Sequence, residues 1–183
     1  MFLIKSYIQY PDRGIYSIES VEKDPFFFFV DIDNMAEVSR IKDSLDLDYL
    51  EGVLYMEYNG HIMMGFTLFD SVDQLWAYLL NMIEELLKSK KAKTYFPDQP
   101  IEVIMEVVSD QDLIFSLDVH TVSKWKLPTY EFLKALLLGA KDFFEKMILL
   151  LGKDGETYLH DLRRVRELEK KIIIFDKNRK DIE

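Results

Sequence analysis

The 183-residue sequence predicts an α+β fold: an antiparallel sheet built from hairpins, two long amphipathic helices packed on one face, and a charged C-terminal helix. Three observations carry that expectation. Runs rich in β-branched and aromatic residues are joined by short turns and show no regular βαβ alternation. Two stretches hold apolar residues at the 3, 4, 7 spacing of a helix face. A hydrophobic content of 49% with 25 aromatic residues supplies one core, so the chain reads as a single domain over 1–183.

Residues 2–10 (FLIKSYIQY) alternate as a strand, and PDRG at 11–14 reads as a turn with Pro11 fixing φ. IYSIESV (15–21) follows as an antiparallel partner. FFFFVDID (26–33) is too continuous for a strand with one wet face and reads as a central strand covered on both. Residues 34–45 suit a short helix, with Met35, Val38, Ile41 and Leu45 on one side.

GVLYMEYNGHIMMGFTLF (52–69) carries the strongest local signal. Asn59-Gly60 between two β-rich runs is the preferred pair for a type I′ hairpin. Ser71 and Gln74 have the spacing of a capping box. Beyond them Val72, Leu75, Trp76, Leu79, Leu80, Ile83, Leu86 and Leu87 form an apolar helical face, and Lys88, Lys90, Lys91 and Lys93 sit at its C-terminal end. TYFPDQP (94–100) reads as a loop, and IEVIMEVV (101–108) and LIFSLDV (113–119) as a second hairpin.

Pro128 suits a helix start. Leu133, Leu136, Leu137, Ala140, Phe144, Met147, Ile148 and Leu151 form a second stripe that Gly152 ends. Residues 156–174 predict a last helix with a thin seam: Tyr158 or Leu159, then Leu162, Val165, Leu168 and Ile172. A soft boundary near 124–128 is marked by a change in charge and in structure type.

Charge is unevenly divided. Residues 1–124 hold 22 acidic against 10 basic side chains, a net of −12, and residues 125–183 are net +2, which together give −10. Such a chain repels nucleic acid and anionic membranes and favours cationic surfaces. No apolar run approaches the ~18 residues of a membrane helix and no export signal is legible, so the expected compartment is the cytoplasm.

The absence of cysteine removes thiol nucleophiles and thiolate metal sites. Neither GxxxxGK, GxGxxG, GxSxG nor HExxH occurs. Glu84-Glu85 and Glu102/Glu106 read as solvated faces. Arg163-Arg164-Val165-Arg166 with Lys170-Lys171 is interleaved with Asp161, Glu167 and Glu169 and reads as a salt-bridged helix surface. Asp118-Val119-His120 and Asp31-Ile32-Asp33 each put two polar groups on one strand face. Together Asp31, Asp33, Asp118 and His120 define an alternative, a small metal-dependent hydrolase.

The favoured reading is non-enzymatic, with no cofactor. DSLDLDYLE (43–51) concentrates Asp43, Asp46, Asp48 and Glu51 around Tyr49, an aromatic anchor in a charged rim; Asp110 and Asp112 extend it. The expected partner is a basic protein, in the manner of a bacterial immunity or antitoxin-type inhibitor, with nucleic acid and membrane excluded. A third reading is an oligomeric structural protein whose final helix pairs with its own copy.

Overall fold

The computed structural model describes residues 1–180. The chain opens with β1 (Phe2–Gln9), whose residues alternate between two environments. Ser6 and Ile8 face the main core with Phe2 and Ile4, while Tyr7 faces a second, smaller cluster. The turn closes by Arg13 N–H donating to the Tyr10 carbonyl at 3.1 Å.

Residues 15–21 are not a strand. The Ser17 hydroxyl accepts from Ser20 N–H and starts α1 (Ile18–Lys23), so local capping overrides the apolar alternation. The phenylalanine run is also not a central strand. Asp24 caps Phe27 N–H and Pro25 occupies the first helical position, which folds Pro25–Phe28 into the short α2. Only Phe29–Asp31 remains as β2, at an edge of its sheet. Phe28 and Phe29 are buried, whereas Phe26 and Phe27 are exposed.

Next come α3 (Met35–Ile41), capped by Asn34, and a 3-10 turn at Lys42–Ser44. β3 (Glu51–Tyr58) and β4 (His61–Met64) form the expected hairpin, with Asn59 at φ 50° and Gly60 at φ 83°. Its second arm is short. The chain turns away at Gly65, and β5 (Phe69–Ser71) returns to pair with the start of β3. The first sheet is antiparallel, with the path β2-β1-β3-β4.

In α4 (Val72–Ser89) the expected apolar stripe is buried, Trp76 completely, except for the half-buried Leu87. The capping box does not form: the Ser71 hydroxyl donates to Asp98 instead, at 3.0 Å. Lys90 adopts a left-handed conformation, φ 61°, and ends the helix.

A second antiparallel sheet follows, β6-β7-β8-β9. Only its central hairpin, β7 (Glu102–Val107) and β8 (Asp112–Asp118), was legible in the sequence. The outer strands β6 (Lys91–Tyr95) and β9 (Val122–Pro128) carry Lys91, Lys93, Lys124 and Lys126 on their solvent face, a composition suited to protected sheet edges. All seven residues of β9, which include positions 124–128, pair with β8.

α5 (Thr129–Leu151) lies against both sheets. The Phe132 ring centre lies 5.4 Å from that of Phe2 of the first, tilted, and 5.4 Å from that of Phe115 of the second, edge-on. Gly139 lets Trp76 and Ile4 approach its backbone, where a Cβ would stand 2.9 and 3.0 Å from them. A 3-10 turn, Asp154–Tyr158, leads into α6 (Leu159–Lys180). The seam that Tyr158 begins continues on α6 through Leu162, Val165, Leu168 and Ile172, all buried against α4 and α5, while Ile173 and Ile174 stay exposed. One buried cluster runs from Ile8 to Ile172. Among the described residues no helix is long and apolar enough to cross a membrane.

Candidate functional site

The acidic segment is a displayed loop anchored at both ends. Leu45 packs on the core after the 3-10 turn, and Leu50 is 1% exposed just before β3. Between them the Asp46 carboxylate accepts from Asp48 N–H at 3.0 Å, and Glu51 N–H donates to the Tyr49 carbonyl at 2.8 Å. These bonds occupy local groups and leave the side chains outward. Tyr49 is 61% exposed.

Asp46, Tyr49 and Glu51 join Gln9 and Pro11 around a cleft of about 320 Å³. Asp43, Asp46 and Asp48 make no ion pair with any described residue. Some acids elsewhere are paired, Glu37 with Arg40 at 2.9 Å, Glu102 with Lys93 at 3.1 Å and Glu106 with Lys91 at 3.0 Å, but the loop gathers three unpaired ones within six residues. The negative potential at the 43–51 loop is therefore left for an outside cation.

Glu51 leads inward. Burial pushes its carboxyl above the usual range, and Asp70 and Asp98 add to the shift. Asp70 is 3% exposed and accepts from Ser71 N–H at 2.7 Å and Asp98 N–H at 3.1 Å. Burial raises the Asp70 carboxyl too, against the lowering effect of those backbone donors. This node ties β5 to the 96–99 loop, since Gln99 also donates to the Phe69 carbonyl. It fixes the cleft from behind, because Ser71 stands opposite Glu51 in the β3–β5 register. Sequence reasoning missed it. The only available signal was a lone Asp at a strand end.

The turn at 11–13 links the cleft to an aromatic patch. Pro11 lines the cleft, and the Arg13 guanidinium lies 3.8 Å from the Tyr10 ring centre and 4.9 Å from that of Phe27. Phe27 (51% exposed) thus lies against Arg13, two residues from Pro11, whereas Phe26 (63% exposed) turns toward Tyr7 and Phe66, with ring centres at 6.2 and 5.4 Å. Exposed aromatics beside unpaired charge are the makings of a protein-binding face.

The structure does not bring Asp110 and Asp112 to this cleft. Asp110 lines a different hollow with Lys90, Val108 and Phe175, and Asp112 pairs with Lys126 at 2.9 Å.

Nor does it gather Asp31, Asp33, Asp118 and His120. Lys5 holds Asp31 at 2.6 Å and Asp33 at 3.2 Å, and Lys146 also binds Asp33, which lowers the Asp33 carboxyl below its usual range. Asp118, at the end of β8, and His120, in the β8–β9 turn, are exposed on the other sheet's side of the fold. Among the described residues no three His, Asp or Glu side chains are placed to share an ion. Glu84 binds Lys88 and Lys171, Arg164 binds Asp161 at 3.0 Å, and Arg166 approaches Glu145 at 3.9 Å. Of the basic side chains on α6, Arg164 pairs within the helix and Lys171 and Arg166 reach neighbouring helices.

Comparison with known protein families, curated proteins and solved structures found no match to this chain.

Proposed function

We propose that the chain is a non-enzymatic binding protein whose acidic loop and cleft receive a basic segment of a partner protein. The observation that carries this reading is the set Asp43, Asp46 and Asp48, without ion pairs on the loop whose Asp46 and exposed Tyr49 line a 320 Å³ cleft. Such a face attracts a cationic partner at long range and then buries an aromatic anchor against it. Asp43, Asp46 and Asp48 supply steering, Glu51 lines the cleft, and Tyr49, with Phe27 beside the 11–13 turn, supplies apolar contact.

The most concrete version is an immunity or antitoxin-type inhibitor in the bacterial cytoplasm. A toxin that grips nucleic acid must present a basic surface, and an acidic protein can occupy that surface in place of phosphate.

The test is a photocrosslinking residue placed at position 49, with a control at Leu149, which is 76% exposed on α5. In extract of the native host at low salt, position 49 should crosslink to a basic protein. High salt should suppress the product, and position 149 should give none. No product, or the same product from both positions, would remove the proposal.

A further inference from the structure

α5 and α6 enclose a second concave feature, of opposite sign to the acidic loop. It is a groove of about 640 Å³. Leu137 and Ile172, both buried, form its base, while Leu138 (51% exposed) and Ile173 (44% exposed) stay open to water on its sides. Lys134 and Lys141 line it from α5, and Arg166 and Lys170 from α6, against the single carboxylate of Glu169. Lys134, Lys141 and Lys170 make no ion pair with any described residue, and Arg166 reaches Glu145 only at 3.9 Å. In a chain of net charge −10 this is a local inversion of sign.

We infer that this groove is a docking site for an acidic amphipathic helix of a partner protein. Two features select that occupant. The cations recur along both walls: Lys134 and Lys141 stand two turns apart, about 10 Å, and Arg166 and Lys170 one turn apart, about 6 Å. That spacing matches carboxylates repeated along a facing helix, whereas a fatty-acid headgroup offers one charge. The groove is also concave between two helices, so a third helix seats its apolar stripe on Leu138 and Ile173. A bilayer surface is flat and prefers a convex apolar face. The site is separate from the acidic loop and stands without it.

The probe is a labelled synthetic helix of about 18 residues, Leu on one stripe and Glu along its edges, with a Lys-for-Glu counterpart. Anisotropy with the full chain should give binding about tenfold or more tighter for the Glu peptide, although whole-protein charge favours the Lys peptide. The methyl resonances of Leu138 and Ile173 should shift on binding. Lys134→Glu with Lys170→Glu, both at exposed positions, should weaken binding about tenfold or more at an unchanged melting temperature. Should that pair perturb folding, Lys134→Gln with Lys170→Gln should weaken binding in the same direction. Amide replacement of the 43–51 acids should leave it unchanged, which separates this site from the acidic cleft. Equal binding of the two peptides, no binding, or binding that survives the reversal would overturn the inference. Capture of phosphatidylglycerol vesicles without capture of the Glu peptide would overturn it too, in favour of a membrane surface.

Discussion

Trp76 and Ser6 lie seventy residues apart in sequence, yet the indole Nε1–H donates to the Ser6 hydroxyl at 2.9 Å inside the core. Trp76 is 0% and Ser6 4% exposed, so neither group has water as an alternative partner. Ser6→Ala orphans the indole N–H, which costs about 1–3 kcal/mol. Trp76→Phe orphans the hydroxyl and also leaves a void between Ile4 and the backbone of Gly139, for about 2–4 kcal/mol together. The double variant orphans nothing. It should therefore cost about 1–2 kcal/mol less than the two single losses added. Urea unfolding followed by circular dichroism measures the cycle, with each kcal/mol shifting the melting temperature by about 2–4 °C. Single losses that add to within about 0.5 kcal/mol would show that the indole and hydroxyl are not coupled, and would break the account of how β1 is joined to α4.

Asp70 gives a pH-dependent test. Its folded carboxyl is raised from the usual 3.8 mainly by burial, so the native state binds the proton more tightly than the unfolded chain. Its contribution to stability is therefore greatest below about pH 4 and declines as pH rises through the higher folded value. Asp70→Asn keeps the acceptor for Ser71 and Asp98 N–H; melting at pH 7 should stay the same or rise, with a flatter pH profile between 4 and 7. Asp70→Ala loses the acceptor and should cost about 1–3 kcal/mol at every pH. At the β3–β4 turn Gly60 has φ 83°, so Gly60→Val should cost about 1 kcal/mol or more in the same unfolding assay, and an unaltered melt would count against the turn.

The long helices were legible because burial and periodicity coincide there. The stripes of α4 and α5 and the seam of α6 are buried at the expected positions except Leu87, Ile148 and Leu151, which are half-buried, and Tyr158 takes the seam place that Leu159, 42% exposed, does not. Strands failed wherever a local cap or an edge decided the outcome. Ser17 and Asp24 turned two β-like runs into helical turns, and a lysine-rich edge strand such as β6 lacks the apolar density that marks a central one. The acidic loop was visible as composition, since charges on a displayed loop need no long-range partner. Its neighbours were not. Asp70 and Asp98 come behind Glu51 only through pairing of β5 with β3, and Phe27 meets Arg13 only through packing of the 11–13 turn, both long-range events.

The charge account of function reduces to one kinetic experiment. Asp43→Asn, Asp46→Asn, Asp48→Asn and Glu51→Gln together keep shape and remove four negative charges. With the partner captured at position 49, stopped-flow association should slow by about tenfold or more at low salt, at nearly constant dissociation rate. The gap between parent and variant should close toward 1 M salt, where the Debye length is about 3 Å. An association rate that ignores both the amides and the salt would contradict steering by this loop.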